Sequence, residues 1–300
     1  MSKPALQHLV VVPLGGLGNR MRVIASAKRL AQMAGARCTV IWDWQDYAAL
    51  FERDPAIEVV SAIPKELHAG YEVRHILTDN EGGTWENRHI PLDGAAGIIV
   101  TSYVAFCARG EPENVHEPAL LAWVPQPSEA VRKAASRFRE AEFPPRGIVG
   151  LHMRRTDNRE AKLRSPDRLF IEEAGLLAGE GTKIFLASDS RRTERRLLAG
   201  FPGSLIDYPK SQHKSRRWPR RFNLAKTIED YAELLLLASC DYVLGSAYSS
   251  YSSWAMALNG SAKCRVLAIE AIVPAPRRAS FARRMTIKLD LALRTRLLGK

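Results

Sequence analysis

The 300-residue sequence is poor in cysteine and has no long apolar run. Its four cysteines are far apart in apolar contexts, and no Cys-x-x-Cys or Cys/His spacing suggests zinc. They are Cys38, Cys107, Cys240 and Cys264. This pattern indicates buried free thiols in a reducing compartment, with no metal site. No segment reaches the roughly 18 apolar residues of a transmembrane helix, and the N-terminal apolar run is too short for a signal peptide. We therefore expect a cytoplasmic protein.

Acidic residues are also few, since 32 Asp and Glu oppose 44 Lys and Arg for a net charge of +12. Such an excess favours an anionic ligand, acceptor or surface. It is concentrated in two segments. Residues 209–223 hold six basic and no acidic residues, typical of either a solvated loop or a mobile flap that attracts an anion. Residues 277–300 hold eight basic and one acidic residue, typical of either a peripheral helix at the inner face of the membrane or a helix packed on the first domain.

Apolar strand-like runs alternate with helical patterns along most of the chain. HLVVVPL (8–14) opens a β-α-β-α-β series, and a second alternation begins with GIVGLHM (147–153) after two prolines. A helix is predicted over 227–240, opened by a Thr227-x-x-Asp230 capping box, and REAKLRSPD is predicted as a loop. The chain is therefore predicted to be an α/β protein with two Rossmann-like domains facing a central cleft. The predicted divisions are 1–145, 146–275 and a basic tail, 276–300.

Polar residues cluster where the predicted strands end, and ligands of open parallel sheets bind beyond the carboxyl ends of the strands. The first strand is followed by Gly15, Gly16, Gly18, Asn19 and Arg20. The second domain supplies His152, Arg154, Arg155, Asp157, Ser188, Asp189, Ser246, Ser249 and Ser250. Guanidinium groups give fixed bidentate donors, and a helix start after Ser249 gives free N–H groups. Together these groups predict a diphosphate site.

Each of these signals also has a structural explanation. GGLGNR lacks the Lys-Ser/Thr of a P-loop and the third glycine of a dinucleotide fingerprint, so it can be a tight strand-to-helix turn. Arg154 and Arg155 can form surface ion pairs, and His152 can be a hydrogen-bonded core residue. The serines at 249 and 250 can serve only as a helix N-cap. The sequence leaves these alternatives open.

The second half resembles fucosyltransferases that share an H-x-R-R-x-D motif, such as the nodulation and core α-1,6 enzymes. The resemblance rests on HMRRTD, then LASDS, then DYVLGSAYSSYSSWAMAL, and GGLGNRMRVIASA is similar to the glycine-rich N-terminal element of the superfamily. It implies a metal-independent, inverting glycosyltransferase of the GT-B type without a cofactor. The C-terminal domain would bind GDP-fucose, and the N-terminal domain would hold a glycan or lipid-linked glycan acceptor.

The resemblance also implies roles for individual residues. Arg154 would grip the β-phosphate and stabilise the departing GDP, with support from Arg155. His152 and Asp189 would lie near the guanine and ribose. The other expected donor-binding residues are Ser249, Ser250, Gly16, Gly18 and Asn19. Glu160 is the candidate catalytic base, and Asp157 is expected to be structural.

Two other functions remain as hypotheses at this stage. A transferase for another nucleotide-activated sugar would use the same arginine and serine cluster. A non-catalytic protein that binds nucleic acid or anionic lipid would explain the net charge of +12. No nucleic-acid partner is expected, however, because stacking aromatics are not interleaved with the basic residues.

Overall fold

The structure is a computed structural model that describes residues 4–42, 47–64, 71–76, 88–111, 117–211 and 224–269. These residues form two compact units. The first comprises described residues of 4–47 and 53–126, and the second comprises 48–52 and described residues of 127–269. Most of the predicted flap (212–223) and the predicted tail (276–300) lie outside the described residues.

The first unit is built on a five-stranded parallel sheet. Its strands are β1 (His8–Pro13), β2 (Arg37–Ile41), β3 (Glu58–Val60), β4 (Glu72–Ile76), β5 (His89–Ile90), β6 (Gly97–Ser102) and β7 (Cys107–Ala108), and its helices are α1 (Leu17–Ala34) and α2 (Glu117–Leu120). The strand order in the sheet is β3-β2-β1-β6-β4, and the two short strands β5 and β7 pair separately. The long helix α1 packs on β1 and β2. Short 3₁₀ turns lie at Tyr47–Ala49 and Leu121–Trp123.

The second unit contains another five-stranded parallel sheet. Its strands are β8 (Ile148–Met153), β9 (Lys183–Ser188), β10 (Leu205–Asp207), β11 (Tyr242–Ser246) and β12 (Arg265–Leu267), and their order is β10-β9-β8-β11-β12. Its helices are α3 (Glu129–Glu142), α4 (Arg159–Arg164), α5 (Asp167–Gly179), α6 (Arg191–Gly200), α7 (Leu224–Ala238) and α8 (Ser250–Asn259). The chain runs from β8 to one edge and then crosses to β11. The β8–β11 pair is therefore the topological switch point of this sheet.

Helices cover both faces of the second sheet. Ile184 and Leu186 of β9 pack with Phe170 of α5 and with other residues of one core cluster. Phe185, between them, points to the opposite face, where its ring lies 6.2 Å from that of Phe138 on α3. All six residues of β8 are buried. Its residues do not alternate between apolar and polar, because a parallel strand covered by helices on both faces has no solvent-exposed face.

The predicted architecture of Rossmann-like α/β units is confirmed, and two local predictions are wrong. Helix α7 begins at Leu224, so Thr227 lies inside the helix rather than at its N-cap. An ion pair between Lys226 and Asp230, four residues apart, stabilises this first part of the helix. Residues 159–164 form α4 rather than a loop, because the Asn158 side chain caps it by accepting the Ala161 N–H at 3.0 Å.

Helix α3, which precedes the two prolines, belongs to the second unit and packs against α7. Within the part of the chain that is described, no helix has both the length and the apolarity needed to cross a bilayer.

Candidate functional site

The ends of β8 and β11 meet at the switch point of the second unit. The backbone N–H of Arg154, the residue after β8, donates to Ser246 Oγ at 3.0 Å. Ser246 ends β11, and its hydroxyl donates to the His152 carbonyl at 3.1 Å. These two hydrogen bonds fix the position of the Arg154 backbone between neighbouring strands.

The Arg154 guanidinium is held by two carboxylates. Nη2 donates to Asp157 Oδ1 at 2.6 Å, and Nη1 lies 3.0 Å from Asp189 Oδ2. Asp189 follows β9, and the Thr156 hydroxyl donates to its Oδ2 at 2.6 Å. The Arg154 side chain remains 22% exposed, whereas that of Asp189 is 9% exposed. The site therefore presents a fixed cation that a ligand can reach, at the place where three strand ends converge.

Arg155 points away from that surface and its donors are occupied. Its side chain is 7% exposed, and Nε donates to Asp167 Oδ1 at 2.6 Å. Nη1 and Nη2 donate to the carbonyls of Arg154 and Ser165, each at 2.8 Å. Its guanidinium carbon also lies 4.9 Å from the centroid of the Phe170 ring. The side chain ties the loop after β8 to α5, and its backbone N–H donates to Asp189 Oδ1 at 2.7 Å.

His152 is enclosed beneath the same strand ends. It is 3% exposed, its Nδ1 lies 2.6 Å from Ser252 Oγ, and its ring centroid lies 4.8 Å from that of Tyr251. Burial lowers the pKa of His152 to about 3, and the nearby Asp189 carboxylate only partly opposes this. The imidazole is therefore neutral at physiological pH. Gly245 allows Ser252 to approach this strand closely, because a Cβ at position 245 would lie 2.7 Å from Ser252 Cβ.

Helix α8 begins beside the switch point. Ser249 is its N-cap, and its side chain accepts the Ser252 N–H at 3.4 Å. Ser250 is the first helical residue and is half-buried. A ten-residue helix places its unpaired N–H groups and the positive end of its dipole here.

Two carboxylates lie on the segment after β8. Asp157 accepts from Arg154, as described above. Glu160 lies in the first turn of α4, is half-buried, and makes no hydrogen bond or ion pair with another residue that the structure describes. Of the two, Glu160 is therefore the carboxylate not committed to Arg154.

The glycine-rich element lies in the first unit. Gly15 has a φ of +80°, a conformation that favours glycine, and Gly16 precedes α1 as an exposed N-cap. Gly18 is buried in the helix, and Asn19 is half-buried. Arg20 is 4% exposed, and its Nε donates to the Gly15 carbonyl at 3.1 Å. Arg20 thus stabilises the turn from within.

A buried ion cluster, Lys210–Glu194–Glu233, supports the end of β9, and the sequence pattern did not reveal it. Lys210 Nζ donates to Glu194 at 2.5 Å, to Glu233 at 2.8 Å and to the Ser188 carbonyl at 2.6 Å. All three side chains are at most 6% exposed. Burial raises the pKa of Glu233 to about 7 even though Lys210 opposes the shift. Lys210 was counted with the basic segment 209–223, where nothing local distinguishes a buried lysine from a solvated one.

The four cysteines are free thiols, and Cys264 is half-buried rather than buried as predicted. Cys38, Cys107 and Cys240 are buried free thiols, and burial raises the pKa of Cys38 to about 12 and that of Cys107 to about 11. Such thiols are poor nucleophiles at neutral pH. In the same residues, no group of three or more His, Cys, Asp or Glu side chains could hold a metal ion.

No protein-family model and no curated protein sequence matches this chain. Its structure, however, is similar to those of solved fucosyltransferases. NodZ α-1,6-fucosyltransferase soaked with GDP-fucose matches with a TM-score of 0.55 and 17% identity, over 84% of this chain and 92% of that one. NodZ from Bradyrhizobium gives 0.55 and 16%, over 84% and 93%. A mutant of Arabidopsis thaliana FUT1 in complex with GDP gives 0.60 and 13%, over 91% and 71%.

At 13–17% identity this likeness concerns the fold. The molecule is an α/β protein of the GT-B-like class, with two Rossmann-like units of the kind found in fucosyltransferases. The resemblance carried by HMRRTD and the motifs after it is therefore confirmed at the level of the fold.

Proposed function

We propose that the protein is an inverting glycosyltransferase that moves fucose from GDP-fucose to a glycan or lipid-linked glycan. The observation that carries the proposal is the Arg154 guanidinium, fixed by Asp157 and Asp189 at the switch point and still open to a ligand. The fold supports it, because two of the similar structures are fucosyltransferases that hold GDP or were soaked with GDP-fucose.

The proposed chemistry follows from where charge develops. Cleavage of the bond between the sugar and the diphosphate leaves additional negative charge on GDP. A guanidinium that is already oriented stabilises that charge without reorganising, and the N–H groups at the start of α8 add to it. Ser249 and Ser250 stand at this helix start. In this proposal, Arg154 and these groups replace a metal ion as the activator of the leaving group.

We assign indirect roles to three predicted donor ligands, Arg155, His152 and Asp189. The donors of Arg155 are occupied by Asp167 and by backbone carbonyls, and His152 is enclosed by Ser252 and Tyr251. Both residues therefore position the loop that carries Arg154 rather than touch the donor. Asp189 positions Arg154 in the same way.

Glu160 is the proposed general base. It lies six residues beyond Arg154 on the same segment, and no described residue engages its carboxylate, so it is free to accept a proton from the acceptor hydroxyl. Three further roles stay predictions: donor binding by Gly16, Gly18 and Asn19, acceptor binding by the first unit, and contact of residues 276–300 with the membrane.

Substitution of Arg154 tests the proposal. Arg154→Ala should lower kcat/KM for GDP-fucose by about 10²- to 10³-fold, the usual loss for one such donor. Arg137→Ala, which removes an exposed arginine from α3, is the matched control and should leave kcat/KM unchanged. Wild-type transfer by the Arg154 variant would contradict the proposed function.

The nucleotide and sugar need a separate test, because an arginine and a helix start recognise the diphosphate of any nucleotide sugar. Thermal-shift measurements with GDP-, UDP- and dTDP-sugars should show the largest rise in Tm with GDP-fucose. A larger rise in Tm with another nucleotide sugar would support a glycosyltransferase that uses a donor other than GDP-fucose. A rise with RNA or anionic vesicles, and none with nucleotides, would favour the non-catalytic binding function.

A further inference from the structure

Tyr248 is the one exposed aromatic residue in the part of the chain that is described. It is 53% exposed and lies between the end of β11 and the N-cap of α8. Exposed aromatic rings supply a large apolar face with few rotatable bonds, so they are common where a ligand binds. The position of this ring at the switch point makes it part of the ligand-facing edge of the sheet.

The backbone of Tyr248 is also unusual. Its φ is +52°, and among the described residues it is the only non-glycine with a positive φ. Glycine adopts this conformation without steric cost, whereas in tyrosine the Cβ atom makes it sterically unfavourable. The Asn158 amide holds the strained residue by donating to its carbonyl at 2.6 Å. The same Asn158 caps α4, so the segment that carries Arg154 is tied to the turn that carries Tyr248.

Folding alone does not explain a tyrosine at this position. The ring gains little from burial, and its backbone would be less strained as glycine. Strained conformations and exposed apolar rings that persist next to a charged ligand-binding edge are typical of functional positions. Moreover, the Arg154 backbone is hydrogen-bonded to Ser246, two residues before Tyr248, so Arg154 and Tyr248 belong to the same edge of the sheet.

We propose that Tyr248 is a stacking platform for a ring that is attached to the bound diphosphate. Its partner is the face of either the nucleobase or the transferred sugar, and the shared chemistry is a flat or apolar ring face against the phenol ring. This inference rests on the proposed function, because it takes the diphosphate to lie at Arg154. It makes Tyr248 a donor-binding residue beyond those named above.

Calorimetric titration of three probes tests the inference: inorganic pyrophosphate, GDP and GDP-fucose. Stacking on an aromatic side chain is typically worth about 5- to 100-fold in affinity, so Tyr248→Ala should lose that much. Loss of affinity for GDP with unchanged pyrophosphate affinity identifies the base as the partner. Loss for GDP-fucose alone identifies the sugar. Tyr248→Phe keeps the ring and should bind like the wild type.

A glycine variant separates binding from folding. Tyr248→Gly should raise Tm, because it removes the strain, and should lower affinity as much as Tyr248→Ala. Unchanged affinity for both GDP and GDP-fucose in Tyr248→Ala would overturn the inference, and so would an equal loss for all three probes, which indicates a distorted phosphate site. If the wild type binds none of the probes, the proposed function itself fails.

Discussion

Arg154 and Arg155 are adjacent in the chain, yet their guanidinium groups have different environments. Arg154 lies on the surface between two carboxylates, so its charge can act on a ligand. Arg155 is enclosed by Asp167, Phe170 and two backbone carbonyls. Successive residues after a strand point in different directions, and here one direction leads to solvent and the other into the α5 side of the unit. Arg155 therefore stabilises the fold, whereas the exposed guanidinium of Arg154 is available for the ligand-binding role that we propose.

The two alanine variants are expected to differ in how much they lower the free energy of unfolding. Arg155→Ala should lower the free energy of unfolding by about 2–3 kcal/mol, because three charge-assisted hydrogen bonds and the Phe170 contact are lost. Arg154→Ala should change it by less than about 1 kcal/mol, as is usual for partly exposed ion pairs. Urea denaturation followed by circular dichroism measures both.

The conservative variant sharpens this comparison. Arg155→Lys should remain destabilised, because a single ammonium cannot reach the three acceptors that the planar guanidinium meets. If Arg155→Lys and Arg155→Ala both unfolded at the wild-type urea concentration, the structural role of Arg155 would be wrong.

At the scale of elements, the connection from β10 to α7 is tied to the end of β9 by the Lys210–Glu194–Glu233 cluster. The Lys210 ammonium donates to one carboxylate from α6, to one from α7 and to the carbonyl of the last residue of β9. Tyr251 of α8 adds a hydrogen bond from its hydroxyl to Glu233 at 3.2 Å. A single buried ammonium thus joins three elements beneath the site.

Removal of that ammonium should be costly and dependent on pH. Lys210→Met should destabilise the fold by about 3–5 kcal/mol at pH 8, because buried carboxylates lose their cation. The loss should be smaller at pH 5. Burial already raises the folded-state pKa of Glu233 to about 7, above the unfolded value of 4.5, so its contribution to stability declines as pH rises from about 4.5 through 7. Without Lys210 this pKa rises further, so the decline continues to higher pH and the total loss is larger.

Unfolding midpoints of the wild type and Lys210→Met, compared at pH 5 and pH 8, measure this difference. Lys226→Met removes a lysine from a partly exposed i,i+4 pair with Asp230 and serves as the control, with an expected effect below about 1 kcal/mol at either pH. A deficit for Lys210→Met that is equal at the two pH values would show that the carboxylates do not titrate with folding.

The elements that were predicted correctly are those with a local signal. Continuous apolar runs such as 148–153 predicted the strands, and helical periodicity predicted most helices. Both signals are local, because the spacing of apolar residues within a segment reflects which of its faces are buried. The start of α7 was misplaced since a capping pattern is short and also occurs inside helices. The sequence could not decide between the two predicted roles of His152, nor reveal that Lys210 is buried, because Ser252 and Glu233 lie 100 and 23 residues away in the sequence. Only the folded chain brings those partners together.

At the scale of the whole molecule, the net charge of +12 affects how an anionic donor approaches. A field of one sign attracts a diphosphate over a distance set by salt, about 10 Å at 0.1 M ionic strength and about 30 Å at 0.01 M. Long-range attraction changes the association rate, whereas short-range contacts, such as the one proposed for Arg154, control the dissociation rate. The two contributions can therefore be separated kinetically.

Binding of GDP should be strongly dependent on salt through its association rate. Between 10 mM and 200 mM NaCl we expect the association rate constant to fall by about tenfold or more, because screening shortens the attraction, while the dissociation rate changes less. Stopped-flow fluorescence at a series of salt concentrations measures both constants. Guanosine, which carries no phosphate, is the matched control and should associate at a rate independent of salt.

Arg154→Ala should instead raise the dissociation rate of GDP at every salt concentration. If the association of GDP were as insensitive to salt as that of guanosine, the excess of basic residues would have no part in capturing the donor.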